Sequence, residues 1–175
     1  KFSEWFLGEA YTFIHDADVA QDGLIYGTDE GHDILWTLDF KTDRIAQYRL
    51  PASDLPRGGL FSGMKLPIGQ FTGQHGPHSM AQTSDGRIWI TNALSGTLMS
   101  FDPATKRFKT YPVGHDALYP HTIRVDGNDI VWFTIVASNQ IGRFDPRTEQ
   151  MTVLTLPHNG PVRWVSDMLF PTLMR

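Results

Sequence analysis

The chain has 175 residues, 41% hydrophobic and 19% charged, which is long and apolar enough for one ordinary globular domain and excludes a disordered chain. A net charge of −4 without a basic cluster argues against a nucleic-acid partner, and no apolar run reaches membrane-spanning length, which argues against membrane insertion. The absence of cysteine excludes disulfides, thiolate metal sites and a cysteine nucleophile but leaves the redox compartment open; no secretory signal stands at the start, where the sequence begins at Lys1, and a secreted or periplasmic location is favoured over the cytoplasm.

Sixteen glycines, eleven prolines and 12% aromatic residues predict many short strands joined by tight turns. Residues 1–8 read as a lone strand, because Lys1-Phe2-Ser3-Glu4-Trp5 aligns with Arg107-Phe108-Lys109-Thr110-Tyr111 later in the chain. A repeated unit then occupies residues 13–51, 77–114 and 120–157. Its first strand begins at a histidine, as in His78-Ser79-Met80-Ala81 and in the run from His121 to Val125. A hairpin turn follows at Asp22-Gly23, Asp85-Gly86 and Gly127-Asn128-Asp129. The second strand, Arg87 to Thr91 or Ile130 to Thr134, is apolar on both faces, the pattern of a strand covered on both sides. The third, Gly96 to Phe101 or Gln140 to Phe144, stops at Asp102-Pro103 or Asp145-Pro146, with Asp39-Phe40 in the first unit; these are type I turn residues. The fourth runs from Arg44 to Arg49, Arg107 to Pro112 and Gln150 to Thr155.

Residues 52–74 form an insertion with five glycines, Pro56 and Pro67, a surface loop long enough to imply a functional contribution. Residues 160–175, opening Gly160-Pro161-Val162, begin as a further unit. A period near 43 residues with four strands per unit predicts an all-β chain, a β-propeller of four-stranded antiparallel blades. Three full blades with half-blades at either end leave a ring incomplete. The expected partner is therefore the remainder of the propeller, supplied by the same chain, a second copy or another chain, because an open arc leaves apolar faces and strand edges uncovered.

His15, His78 and His121 occupy one repeat position. In antiparallel blades the start of the first strand and the end of the second lie at the same end, so these histidines share a face with Asp29, Asn92 and Ile135. The innermost strands line a propeller's channel, which places the three at the channel mouth, where a small-molecule ligand would bind. Imidazoles titrate near neutrality and serve as base or acid. His75, in His75-Gly76-Pro77-His78, and His115, in the loop before the third blade, are further ligand-contacting candidates beside His15 and Asn92. Asp29 and Glu30 are the nearest oxygen ligands for a hard metal ion, and three neutral imidazoles suit zinc or copper. The bland alternative is that each Pro-His caps neighbouring backbone groups. Tyr26, Trp89 and Trp132 share another repeat position and read as core between blades.

The phrases Pro77-His78-Ser79-Met80, Pro120-His121-Thr122-Ile123, Val131-Trp132-Phe133-Thr134 and the run from Asn139 to Thr148 resemble blade motifs of the virginiamycin B lyase (streptogramin lyase) family, over nearly the whole chain outside the insertion. The resemblance implies a seven-bladed propeller and a magnesium-dependent lyase that opens cyclic depsipeptides by elimination across an ester, without hydrolysis. It implies a pair of catalytic histidines, matched by His78 and His121, and a Glu fourteen residues after the second. Ile135 stands there instead, with Asn92 and Asp29 at the equivalent places of the other blades. Two other functions compete: a non-catalytic module that binds a ligand or protein at the same mouth, and a lactonase-type, metal-dependent propeller.

Overall fold

The computed structural model describes residues 2–8, 12–63, 72–114 and 116–157. Among them, twelve strands form three separate four-stranded antiparallel sheets. The first blade holds β1 (Ile14–Val19), β2 (Ile25–Asp29), β3 (Ile34–Asp39) and β4 (Arg44–Arg49) in that order. The second holds β5 (Pro77–Gln82), β6 (Ile88–Asn92), β7 (Thr97–Asp102) and β8 (Arg107–Pro112). The third holds β9 (Pro120–Val125), β10 (Val131–Ile135), β11 (Gln140–Asp145) and β12 (Gln150–Thr155). The chain is thus a partial β-propeller, and the second and third strands sit one residue later than the sequence pattern placed several of them. Residues 2–8 are not in a strand; Trp5 Nε1 donates to Asp43 at 2.8 Å. The half-blade expected at 160–175 lies outside the described residues. No helix among the described residues is long and apolar enough to cross a membrane.

Turn chemistry explains the repeat. The hairpin between first and second strands needs one left-handed residue, met by Gly23 and Gly86 and, in the third blade, by Asp129 at φ 60°. Asp39, Asp102 and Asp145 each accept the backbone N–H two residues on, at 3.0, 2.8 and 3.0 Å, which fixes the turn before the fourth strand.

The core lies between blades rather than within them. Tyr26, Leu35 and Leu50 of the first blade meet Met80, Ile88, Ile90, Met99 and Phe101 of the second. Trp89, Leu98 and Tyr111 of the second meet Ile123, Val131, Phe133, Ile135 and Phe144 of the third. Period-two alternation sends Ile88 and Ile90 to one interface and Trp89 to the other, so every residue of β6 is buried. In β10 only alternate residues are buried; Trp132 is half-buried and Thr134 exposed, because no fourth sheet covers that face among the described residues. The shared position of Tyr26, Trp89 and Trp132 is therefore core where a neighbouring blade exists.

The described part of the insertion folds back onto the second blade. Leu60 N–H donates to Leu94 O at 2.8 Å, and Gly58 N–H to Gly73 O at 2.8 Å. Asp33 anchors its far end: one carboxylate takes the backbone N–H groups of Gln74, His75 and Gly76, the latter two at 2.9 Å each.

Packing is tight enough to be tested by single methyl groups. A Cβ at Gly142 would overlap the buried Phe133 ring, whereas one at Gly127 would meet nothing within 4 Å. Gly142→Ala is expected to destabilise the fold by about 1–3 kcal/mol in urea unfolding, and Gly127→Ala to stay within about 0.5 kcal/mol of the parent. Equal effects of the two would contradict this packing.

Candidate functional site: a stacked histidine row

Each site histidine lies in a strand irregularity. The pairing of β1 with β2 skips His15, that of β5 with β6 skips His78, and that of β9 with β10 passes over His121 and Thr122. Such bulges re-aim a side chain. A threonine faces each irregularity. Thr28 Oγ1 accepts the Asp16 N–H at 3.2 Å and donates to the carbonyl of His78 in the next blade at 2.9 Å. Thr91 Oγ1 likewise accepts the Ser79 N–H at 3.2 Å and donates to the carbonyl of His121. Asp16 adds a second tie, accepting from Ser79 Oγ at 2.7 Å and Met80 N at 3.1 Å.

These ties set the first strands of the blades side by side, and the three imidazoles stack in a row. Ring centroids are 3.6 Å apart for His15 and His78, 3.9 Å for His78 and His121, and 6.3 Å for His15 and His121. His15 is exposed, His121 half-buried, and His78 only 3% exposed. His15 Nδ1 lies 3.1 Å from the His78 carbonyl. A carbonyl only accepts, so Nδ1 carries the proton and the neutral ring keeps its Nε2 lone pair. His78 Nδ1 is buried without a hydrogen bond. Burial first, then the adjacent His15 and His121 rings, push His78 down to about 3. Burial, then His15, also lowers His121. Both rings are neutral at ordinary pH.

The other candidates divide. His75 is buried with both ring nitrogens engaged: Nε2 donates to Pro51 O at 2.8 Å, and Nδ1 faces Ser95 Oγ at 3.1 Å. The order of donors follows. With Nε2 protonated, the neutral ring accepts from Ser95, Ser95 accepts from Thr97 at 2.8 Å, and Thr97 accepts from Asn92 Nδ2 at 3.1 Å. Asn92 is thereby oriented, with its buried Oδ1 left unpaired. Asp29 is fully buried and used by the fold: Phe13 N and Gly31 N donate to one oxygen at 2.9 and 3.0 Å, His32 Nδ1 and Trp36 Nε1 to the other at 3.1 and 3.4 Å. Glu30 is 4% exposed, its Oε1 has no partner, and burial pushes its carboxyl up to about 7. His115 lies outside the described residues.

The sequence reading missed Tyr119 and Phe61. Tyr119 lies 5.8 Å from His78 and 5.9 Å from His121, ring to ring, and Phe61 from the insertion stands edge-on to it at 5.6 Å. Burial, then Glu30, push the Tyr119 hydroxyl up to about 12. Tyr119 sits at φ 63°, unusual for an aromatic residue. The one available signal was its place two residues before His121.

Among the described residues no three His, Asp or Glu side chains converge to hold a metal ion. The imidazoles pack ring against ring, tilted by 39° and 43°, and do not meet other ligands at one centre. Magnesium wants about six oxygen ligands in near-octahedral order. Asp29 is already taken, and Glu30 and Asn92 leave one unpaired buried oxygen each. The described residues do not fit that ion.

No family model matches the sequence, and no curated protein matches it. Solved structures do. The chain superposes on virginiamycin B lyase of Staphylococcus aureus, in a catalytically inactive form with quinupristin, at a TM-score of 0.72 with 19% identity, covering 90% of this chain and 46% of that one. A streptogramin B lyase structure matches at 0.64 with 23% identity, covering 82% and 40%. Hydrazine synthase of Kuenenia stuttgartiensis matches at 0.62 with 15% identity, covering 91% and 41%. The fold is therefore that of a virginiamycin B lyase-like β-propeller, and the chain spans less than half the length of those lyases.

The two displaced groups pull stability in opposite directions with pH. His78 binds a proton more weakly in the fold than when unfolded, so its contribution is present above 6.5 and is lost as pH falls toward 3. Glu30 binds its proton more tightly in the fold, so its contribution is present below 4.5 and is lost as pH rises through 7. In urea unfolding, His78→Gln should gain on the parent as pH falls across the first window, and Glu30→Gln should gain as pH rises across the second. Parallel pH profiles for parent and variants would show that neither group is displaced.

Proposed function

We propose that the chain forms part of a virginiamycin B lyase-like propeller whose histidine-lined mouth binds an ester- or lactone-bearing small molecule and opens it by elimination. The observation that carries this reading is the stacked row, with His78 buried and neutral between two reachable rings. A neutral imidazole with solvent access is a competent base at ordinary pH. His121 meets both conditions and is assigned the carbon-bound proton. As it is removed, a carbon–carbon double bond forms, the carbon–oxygen bond breaks, and the ester leaves as a carboxylate. His15, with its Nδ1 proton committed to the His78 carbonyl, offers its Nε2 lone pair to an N–H or O–H of the ligand, and His78 holds the outer rings apart at stacking distance. Magnesium takes no step here, because the described residues do not fit it.

Ile135 supports a second reading. It is 1% exposed in the core between the second and third blades, so no acid acts from that position. With Asp29 also engaged, a mouth that binds its ligand without turnover is the alternative. Either reading calls for further blades against the third one, whose half-buried Trp132 and exposed Thr134 suit the same cross-blade contacts that Trp89 and Thr91 make.

The test is incubation of the protein with a cyclic depsipeptide and mass analysis of the product. Elimination opens the ring at unchanged mass, whereas hydrolysis adds one water. His121→Ala is expected to cut turnover by about 10²–10⁴-fold with an unchanged thermal midpoint. A product heavier by one water, or full activity in His121→Ala, would overturn the elimination reading; saturable binding without any product would support the binding module.

A further inference from the structure

One backbone bond recurs in each of the three blades. The N–H of Glu30 donates to Phe13 O at 3.0 Å, that of Ala93 to Gly76 O at 2.9 Å, and that of Val136 to Tyr119 O at 3.1 Å. Residues 30, 93 and 136 therefore hold one place in the blade. The innermost strands obey the same equivalence: Asp18 pairs with Tyr26, Ala81 with Trp89 and Arg124 with Trp132. Asp18, Ala81 and Arg124 thus share one place, further along β1, β5 and β9 than the histidines. The repeat asks for no charge there, since alanine fills it in the second blade.

These three residues line one cavity of about 360 Å³, within the ~300–1,000 Å³ of small-molecule sites. Its polar groups come from Asp16, Asp18, Gln82 and Arg124, and its apolar wall includes Met80, Ala81 and Ile123. The polar groups divide. Asp16 is consumed: Oδ1 accepts from Ala17 N at 3.0 Å, and Oδ2 from Ser79 Oγ at 2.7 Å and Met80 N at 3.1 Å. Gln82 is consumed too, accepting from Gln21 N and donating to Gly86 O, each at 2.8 Å. Asp18 and Arg124 are exposed and only partly engaged. Asp18 Oδ1 accepts from Val19 N at 2.7 Å, and its Oδ2 accepts nothing among the described residues. Arg124 Nη1 donates to Ile123 O at 2.6 Å, and its other side-chain nitrogens donate to nothing among the described residues. Neither side chain forms an ion pair there.

An acid and a base are thus left over on the first and third of three neighbouring strands, and the place between them carries a single methyl group. A ligand of one charge satisfies only one of them. A ligand charged at both ends satisfies both through charge-assisted hydrogen bonds, with its aliphatic middle lying over Ala81. One free carboxylate oxygen is too few ligands for a hard metal ion.

We infer that Asp18 and Arg124 bind the two ends of a short ω-amino acid, the Asp18 carboxylate taking the ammonium group and the Arg124 guanidinium the carboxylate. This site stands apart from the elimination reading, because it uses none of the three histidines and its ligand contains no ester.

The experiment titrates the protein with γ-aminobutyrate, and separately with butyrate and with butylammonium, at matched low ionic strength and neutral pH, following the Ala81 methyl signal by NMR. Saturable binding of γ-aminobutyrate is expected, tighter than either singly charged probe by about tenfold or more. Asp18→Asn should lower γ-aminobutyrate to the level of butyrate, and Arg124→Gln should lower it to the level of butylammonium. Should either variant lose its fold by circular dichroism, Asp18→Ala or Arg124→Ala supplies the residue that the second blade carries at the same place and serves the same comparison. Binding of a singly charged probe as tight as that of γ-aminobutyrate, no saturation by γ-aminobutyrate, or an affinity unaltered by either substitution would each overturn the site.

Discussion

Sheets that face one another across a propeller share no backbone ladder, so something other than strand pairing must fix the height of one blade against the next. Here that is a threonine hydroxyl. Thr28 and Thr91 each accept the N–H freed by a bulge in their own blade and donate to the carbonyl of the bulged histidine in the next. One hydroxyl uses its acceptor and its donor at once, which suits a buried group that must leave nothing unpaired. The apolar clusters supply most of the cohesion between blades, but they are non-directional and tolerate sliding. The hydroxyl does not, because its bond is lost within a fraction of an ångström.

The imidazole row follows from that constraint. With the carbonyls of successive histidines tied to the preceding blade, the rings fall into register at stacking distance, and the middle one is sealed by its neighbours. Its low proton affinity is a consequence of position: burial counts most, and two adjacent rings add to it. Asp16 opposes the effect but spends its Oδ2 on Ser79 and Met80. The carboxylate that ties the blades favours a charged ring, but less than burial and the two adjacent rings oppose it.

Much of this architecture is legible in the residues. The spacing of His15, His78 and His121, the turn aspartates and the four-strand period lead to three blades in the right order, and to histidines at one end of adjacent strands. What spacing cannot carry is which polar atoms are consumed. Asp29 reads as a metal ligand by repeat position, yet four donors close around it, two of them from His32 and Trp36, which its neighbours in the alignment do not predict. His75 reads as a ligand contact, and its partners are Pro51, from across the insertion, and Ser95, from the turn after β6. Tyr119 was silent because its role depends on a ring direction set by a left-handed backbone and on Phe61, a residue in a loop with no repeat equivalent.

One blade position separates scaffold from site. Asp29, Asn92 and Ile135 hold it in turn, and each solves a local problem: a carboxylate saturated by its own loop, an amide at the end of a donor chain running to His75, and a methyl-rich side chain in the core. None of the three leaves a free charge beside the histidine row. The carboxyl with an unpaired buried oxygen is Glu30, one residue further along, and its place is filled by alanine and valine in the other blades. A repeat protein can vary a position freely once the backbone bond there is secured, and the bond from residues 30, 93 and 136 is secured identically. Function in this arc is therefore most economically sought where the side chain departs from the repeat while the backbone bond does not, because at such a position the fold imposes no demand that would explain the residue.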